Sequence, residues 1–233
     1  MKKFAFFILI LVVTLGIGTI FLYTDFFLLK EIDIESGWIP KEEILQLSSL
    51  EVGQNLFYLN QIDLVKKIKE DPRVDEVEFK KVYPEKLLIR IVPRKPAFIV
   101  LSGNKNLLID EKGILIAINL DYPGIPTLKE FTLEKAELGE ALVFKSDELY
   151  ANAISLVQLC KQADMRDIVI FEENGYLFLH LGEGYKAAFG KGDEIEKKFN
   201  NFYAIYEDLK TKDIEKGTIN LTNVDSPTYL PFD

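Results

Sequence analysis

The sequence is poor in the side chains that many enzymes and metal sites use. Its 233 residues include one cysteine and one histidine. A single cysteine excludes an internal disulfide framework and a cysteine-based metal cluster, and a single histidine excludes a histidine pair. Basic residues are also in deficit, because 28 Lys and Arg stand against 37 Asp and Glu, a formal charge of −9. A nucleic-acid binder needs a basic surface for the phosphates, so we expect no nucleic-acid partner.

Charged residues are missing from one long stretch near the start. Phe4 to Tyr23 contains 20 residues without a charge, and a helix of that length measures about 30 Å, the thickness of a bilayer's hydrocarbon core. Lys2 and Lys3 precede it, so we predict a cytoplasmic segment of residues 1–3, a transmembrane helix over residues 4–23, and the remainder outside. A cleaved signal peptide is the alternative, although its apolar core is usually about 7 to 15 residues long.

The part of the chain beyond this stretch is strongly acidic. Without Lys2 and Lys3 it carries 26 basic and 37 acidic residues, a net charge of −11. We therefore expect no charge-driven adhesion of the external part to anionic lipid headgroups.

Hydrophobic periodicity predicts five elements between residues 26 and 95. They are a strand over Lys30–Ile34, a helix over Lys41–Leu47, a helix that begins at Asn60, and two strands, around Val77–Phe79 and over Leu87–Val92. In the second helix, Asn60 and Asp63 form a capping pattern, and Ile62, Val65 and Ile68 form the predicted apolar stripe. The predicted order is β-α-α-β-β.

The region from residue 96 to 233 is richer in strands. Its predicted strands are Phe98–Leu101, Leu107–Ile109, Gly113–Ile118, Ile168–Glu172, Tyr176–Leu181, Thr218–Thr222 and Thr228–Leu230. One helix is capped by Ser146 and buries Leu149, Ala153, Leu156 and Cys160; a final helix opens at Asp193 and buries Ile195, Phe199, Phe202, Tyr206 and Leu209. We therefore predict an α+β fold with an N-terminal transmembrane helix, a small domain over residues 26–95, and a β-rich domain with two helices over residues 96–233.

The side chains with catalytic potential stand alone. His180 lies in the alternating run Tyr176–Leu181, which is typical of a partly exposed strand residue, and Cys160 lies on the apolar stripe of its helix. The glycine-rich stretch Gly184–Gly192 has five residues between its first two glycines and Gly192 where a phosphate-binding loop carries Ser or Thr. Its bulky Tyr185 and Phe189 favour a strand. We assign no catalytic, cofactor-binding or metal-binding residue and expect no small-molecule substrate.

The last predicted strand ends close to the C-terminus and is expected to form a sheet edge. An edge offers unpaired N–H and C=O groups to an added strand, which is a known mode of peptide binding. The alternative is a blunted edge, which Pro227 and Pro231 on either side of Tyr229 favour. The residues alone leave both interpretations open.

Several stretches of the sequence resemble a known family, the bacterial cell division proteins FtsQ/DivIB. The resemblance is carried by Gly53–Asn60, Asp71-Pro72-Arg73-Val74, Val77, Tyr83-Pro84, Leu87–Val92 and Arg94-Lys95-Pro96-Ala97, and in the second part by Leu108–Gly113, Ile125–Leu128 and Leu181–Lys191. It covers nearly the whole chain: a short basic N-terminus, one span, a POTRA domain and a β-rich domain.

The resemblance implies a non-enzymatic membrane scaffold at the division septum, with the N-terminus in the cytoplasm. It also implies recruitment of the partners FtsB and FtsL, a link to septal peptidoglycan synthesis, and no cofactor. In the family a partner segment adds to the last strand, which by position maps onto Thr222, Asn223, Asp225, Ser226, Thr228, Tyr229 and Leu230. Two positions depart from the family pattern, since Asn220-Leu221-Thr222 replaces Asp-Leu-Arg and Pro93 stands where Glu is frequent.

POTRA domains also occur in proteins of other function. A component of protein translocation or outer-membrane assembly is therefore the alternative hypothesis. An exported enzyme with an unrecognised site is a third reading, which rests only on the many acidic residues.

Overall fold

A computed structural model describes residues 2–22, 24–182 and 184–232 of the chain. The chain divides into two compact units, one extending to Arg94 and the other beginning at Lys95. The first unit opens with helix α1 (Lys2–Leu22), followed by a short 3-10 turn, Asp25–Phe27. Among the described residues, none of the helices is both long and apolar enough to cross a membrane. The predicted span over residues 4–23 stays a prediction, and its last residue, Tyr23, lies outside the described residues.

The remainder of the first unit is a sheet covered by two helices. Its elements are β1 (Glu31–Glu35), α2 (Lys41–Ser48), α3 (Gln61–Ile68), β2 (Val74–Val82) and β3 (Lys86–Pro93), which confirms the predicted β-α-α-β-β order. Strand β3 lies in the middle of this small sheet, parallel to β1 and antiparallel to β2.

Alternate residues of the strands and one stripe of each helix build the core of this unit. The buried side chains include Ile34, Leu87, Ile89 and Ile91 from the strands and Ile44, Leu64 and Ile68 from the helices. The predicted stripe of α3 is wrong in part, because Ile62 is 79% exposed whereas Leu64 is 7% exposed. Residues 64 and 68 are one helical turn apart and face the sheet, which turns Ile62 to the opposite side.

The second unit contains a large sheet and two helices. Its strands are β4 (Pro96–Ser102), β5 (Lys105–Asp110), β6 (Leu115–Ile118), β7 (Thr127–Lys129), β8 (Leu133–Lys135), β9 (Val143–Phe144), β10 (Ile168–Glu173), β11 (Tyr176–Leu181), β12 (Tyr185–Gly190), β13 (Gly217–Asn220) and β14 (Thr228–Pro231); its helices are α4 (Asp147–Gln162) and α5 (Ile195–Thr211). Within the described residues the large sheet has the order β14-β13-β12-β11-β10-β7-β4-β5-β6, and β8 pairs with β9. The periodicity did not predict β7, although it joins β4 to β10, because three residues are too few for a pattern.

Helices α4 and α5 contribute the predicted apolar stripes to the core of this unit. Leu149, Ala153, Leu156 and Cys160 are all buried, which confirms the stripe of α4. In α5, Phe199, Phe202 and Leu209 are buried and Ile195 and Tyr206 pack against them. The predicted start of α5 at Asp193 is wrong: the helix begins at Ile195, and Glu194 precedes it in a left-handed conformation with φ 50°.

Candidate partner-binding edge

Strand β14 is the last strand in the order of the large sheet as far as the chain is described. It pairs antiparallel with β13, with Ile219 opposite Tyr229 and Thr218 opposite Leu230, and β13 in turn runs parallel to β12. One side of the β14 backbone therefore has no strand partner among the described residues. The backbone groups on that side are the ones that an added strand uses for its hydrogen bonds.

The side chains of β14 alternate between the core and solvent. Tyr229 turns inward, packs against the core of the unit, and donates a hydrogen bond from its hydroxyl to the carbonyl oxygen of Lys216 at 2.7 Å. Its ring lies so close to Gly217 that a β-carbon there would be 2.4 Å from a ring carbon. Leu230 turns outward and is 68% exposed. A partner strand would therefore meet Leu230, whereas Tyr229 holds the edge strand to the unit.

The loop before β14 is ordered by its own side chains. Asn220 Oδ1 accepts a hydrogen bond from the Thr222 N–H at 2.9 Å, and Asn223 Oδ1 accepts one from the Asp225 N–H at 3.1 Å. Helix α5 holds the same loop, because Asn201 donates through Nδ2 to the carbonyl oxygen of Val224 at 2.8 Å. These bonds use the asparagine side chains to replace missing backbone partners, as is usual in tight turns.

The structure brings the seven predicted partner-binding residues to one end of the sheet. Thr222, Asn223, Asp225 and Ser226 lie in the loop between β13 and β14, and Thr228, Tyr229 and Leu230 lie in β14 itself. All of them are exposed except Tyr229, which is half-buried. The predicted strand over Thr218–Thr222 ends earlier, at Asn220, which leaves Thr222 in the loop.

A buried lysine, Lys198, lies next to the strand and helix ends that adjoin the loop before β14. The sequence interpretation missed it. Lys198 is 1% exposed and donates from Nζ to the carbonyl oxygen of Phe189 at 3.0 Å and to Asp193 Oδ1 at 2.8 Å. The hydrogen bond from Lys198 holds the pKa of the Asp193 carboxyl below its usual value. Lys198 therefore ties the first turn of α5 to the end of β12, where Gly190 lies against Thr222. Its position three residues after Ile195, beside Phe199, was the available signal that it faces the core.

Comparison with known proteins adds an independent line of observation. The family model described as "POTRA domain, FtsQ-type" matches residues 31–94. Those residues contain the β-α-α-β-β elements described above.

The first unit carries an FtsQ-type POTRA domain. Relatives extend the similarity well beyond it. A "Cell division protein DivIB" of Clostridium botulinum is 26% identical over 217 residues, which are 91% of this chain and 84% of the relative. A DivIB of Clostridium acetobutylicum is 26% identical over 219 residues, 91% of this chain and 86% of the relative. A "Cell division protein FtsQ" of Geotalea daltonii is 26% identical over 204 residues, 84% of this chain and 73% of the relative. The resemblance to the FtsQ/DivIB family is confirmed over most of the chain.

An ion-pair network fastens α2 of the FtsQ-type POTRA domain to the start of β2. Arg73 binds the buried carboxylate of Asp71, with Nε 2.9 Å from Oδ1, and it also pairs with Glu43 of α2. These contacts raise the pKa of the Arg73 guanidinium. The Asp71-Pro72-Arg73 part of the family pattern therefore has a structural role in the POTRA domain, since it neutralises a buried carboxylate.

The two side chains considered for catalysis lie in the second unit, outside the POTRA domain. Cys160 is buried, and burial raises the pKa of its thiol to about 12, so it is a poor nucleophile. His180 is half-buried on β11, with its ring centroid 4.4 Å from that of Phe171. Burial, and then the charges of Lys186 and Lys129, lower the pKa of His180. Both placements confirm the predictions of a buried Cys160 and a partly exposed strand histidine.

The glycine-rich stretch between Gly184 and Gly192 forms strand β12 instead of a phosphate-binding loop. Tyr185–Gly190 pairs antiparallel with β11 and parallel with β13, which confirms the predicted strand. The side chain of Phe189 is buried in the core. A phosphate-binding loop keeps its backbone N–H groups for the ligand, whereas the backbone of β12 is paired with two neighbouring strands.

Proposed function

We propose that this protein is a membrane-anchored scaffold of the bacterial divisome that binds a partner strand at β14. The observation that carries the proposal is an edge strand held inward by Tyr229 and presenting Leu230 outward. The cell division names of the relatives and the FtsQ-type POTRA domain support the divisome assignment. The partners are FtsB-like and FtsL-like division proteins, which the scaffold links to septal peptidoglycan synthesis.

Binding at this edge works through backbone groups first and side chains second. An added strand takes up the unpaired N–H and C=O groups of β14, and an apolar side chain of the partner packs on Leu230. The exposed polar side chains of Thr222, Asn223 and Asp225 flank one end of the same edge. Because Thr222 stands where the family has Arg, this chain pairs without a cationic contact at that position.

Residues 4–23 hold the scaffold in the cytoplasmic membrane, with the N-terminus inside and both domains outside. Support comes from the 20 uncharged residues, from Lys2 and Lys3 before them, and from the exposed apolar side chains of α1, such as Phe4 and Leu11. The protein acts at the division septum and catalyses no reaction. Its work is to hold partners near one another at the membrane.

Leu230→Glu tests the edge without disturbing the core. The substitution places a charge on the outward face of β14, and we expect it to weaken binding of FtsB-like and FtsL-like proteins at least about tenfold, because the charge would lie in an apolar contact. Binding is measured by pull-down from detergent-solubilised membranes. Leu138→Glu is the matched control, since Leu138 belongs to the same unit, is 51% exposed and lies in a different segment.

Retained binding by Leu230→Glu, together with retained binding after deletion of residues 228–233, would refute the edge as the binding site. Tyr229→Lys is a weaker test because Tyr229 packs on the core, so the substitution also destabilises the fold. A fluorescent fusion distinguishes the competing function. Enrichment at midcell supports the divisome, whereas an even distribution around the envelope supports a translocation or outer-membrane assembly component.

A further inference from the structure

We propose that a cluster of aromatic rings at one end of the POTRA domain inserts into the lipid headgroup region and seats the domain on the bilayer surface. The inference rests on the proposed membrane anchor. The rings belong to Phe26, Phe27, Phe57, Tyr58 and Tyr83, which we call the aromatic cluster. Ring centroids are 5.0 Å apart for Phe26 and Phe27, 5.8 Å for Phe27 and Tyr83, and 5.8 Å for Phe57 and Tyr58.

Backbone hydrogen bonds assemble the aromatic cluster from segments that are distant in the sequence. The Leu56 N–H donates to the carbonyl oxygen of Phe27, and the Leu29 N–H donates to that of Gln54, each at 2.8 Å. This short ladder places Phe57 beside the chain that follows α1. Lys81 reaches the same loop from β2 and donates from Nζ to the carbonyl oxygen of Leu59 at 2.9 Å. The rings are therefore held in a defined arrangement.

The rings of the aromatic cluster project outward from the domain. Phe26, Phe57, Tyr58 and Tyr83 are each about half exposed, while Phe27 is half-buried beneath them. A contiguous exposed aromatic patch marks an interaction surface. Aromatic side chains, and tyrosine in particular, are enriched at the headgroup level of membranes, where an apolar ring and a polar tip are both satisfied.

The connection to α1 identifies lipid as the occupant of this surface. Only three residues lie between Leu22, the end of α1, and Phe26, and four residue steps of extended chain reach at most about 14 Å. With residues 4–23 in the bilayer, the aromatic cluster cannot leave the interfacial layer by more than a short distance. The neighbouring Lys30 and Glu85 neutralise each other in an ion pair of 2.6 Å. Attachment therefore depends on the rings and does not need anionic lipid.

The geometry of the small sheet defines which end of the domain faces the membrane. Tyr83 lies in the turn that joins the end of β2 to the start of β3. Val92 is near the other end of β3 and is 38% exposed. At a rise of about 3.3 Å per residue, it lies about 20 Å from the start of β3. A probe at Val92 is therefore a matched control for a probe at the aromatic cluster.

Nitroxide labels on the full chain in phosphatidylcholine vesicles test the inference. Single cysteines are introduced by Tyr58→Cys, Val92→Cys and, within α1, Val12→Cys. The native Cys160 is buried and its pKa is raised to about 12, so labelling at neutral pH goes to the introduced cysteine. We expect collisions with an aqueous nickel chelate to be several-fold rarer at position 58 than at position 92, and collisions with oxygen to be more frequent.

The label at position 12 separates the inference from the anchor on which it rests. A lipid-exposed label at position 12 with an equally water-exposed label at positions 58 and 92 overturns the inference and leaves the anchor standing. Water-exposed labels at positions 12 and 58 overturn both. A cluster reserved for a protein partner would also leave position 58 in water, because these vesicles contain no other protein.

A second variant tests the rings themselves. Phe57→Gln combined with Tyr58→Gln is expected to raise the nickel collision rate of a label at Phe26→Cys several-fold. The urea unfolding midpoint should change little, because both side chains are about half exposed and neither belongs to the buried core of the unit. An unchanged collision rate in a folded variant would overturn the role of these rings.

Discussion

Single side chains hold the edge strand β14 in place from its core-facing side. Tyr229 bonds to the Lys216 carbonyl, and Gly217 leaves the room that the ring of Tyr229 occupies. Lys198 is also a structural side chain: it is buried, and its hydrogen bonds join the end of β12 to the first turn of α5. Substitutions at these positions act on the proposed partner-binding edge indirectly, because they weaken the contacts that hold β14 on the sheet.

The pair between Asp193 and Lys198 predicts a pH dependence of stability. Because Lys198 lowers the pKa of the folded Asp193 carboxyl, the pair stabilises the fold above the unfolded pKa of about 4. That contribution is lost as the pH falls through the lowered pKa. Asp193 is largely exposed, so we expect the wild type to exceed Asp193→Asn by no more than about 1 kcal/mol at pH 6. The difference should shrink below about pH 4.

Urea unfolding at pH 6 and at pH 3 measures this difference. In a Lys198→Met background, Asp193→Asn should have the same small effect at both pH values, because the cation that lowers the pKa is gone. A difference between wild type and Asp193→Asn that grows on acidification would contradict the proposed coupling.

At the scale of elements, the two isoleucines of the short amphipathic helix α3 differ in burial. Both Ile62 and Ile68 are isoleucines on the same helix, yet Ile62 is 79% exposed and Ile68 is 0% exposed. We expect Ile68→Ala to cost about 2 to 5 kcal/mol of unfolding free energy, because it leaves a cavity in the core. Ile62→Ala should change the free energy by less than about 0.5 kcal/mol.

Urea unfolding of the two alanine variants provides the measurement, and each variant is the control for the other. Equal losses at positions 62 and 68 would mean that the helix packs on the stripe predicted from periodicity, Ile62, Val65 and Ile68, and that the face described here is wrong.

The sequence predicted the elements whose signals are local. The hairpin of β10 and β11 follows from Asn174-Gly175, and both residues have the positive φ that such turns require. The start of α4 follows from Ser146, whose hydroxyl accepts the Leu149 N–H. The start of α5 was missed, because the carboxylate of Asp193 accepts from Lys198 and does not cap the helix. A capping pattern does not reveal that a buried lysine five residues later uses the same oxygen.

At the scale of the whole molecule, the proposed function requires a membrane span of the right orientation more than a particular apolar sequence. Replacing residues 4–23 by an unrelated single-span helix, with Lys2 and Lys3 kept, should preserve midcell localisation and restore division in cells depleted of the native protein. Deleting residues 4–23 should leave such cells filamentous. Fluorescence microscopy and cell-length distributions measure both outcomes.

The same replacement combined with Leu230→Glu should fail to restore division, since the span is present and the partner edge is impaired. Normal division after deletion of residues 4–23 would contradict the anchor. Failure of the replacement chain at normal expression would show that the native apolar sequence makes contacts of its own.

The sequence alone determined the scarcity of catalytic side chains, the uncharged run, the β-α-α-β-β order and the exposed character of the residues around β14. These properties depend on composition and on spacings of two to four residues, which are visible along the chain. Only the tertiary structure decided that β7 joins β4 to β10, that Lys198 is buried under the loop before β14, and that Phe27 meets Phe57 and Tyr83. Strand order and side-chain neighbours depend on backbone pairing between distant segments, which no local periodicity encodes.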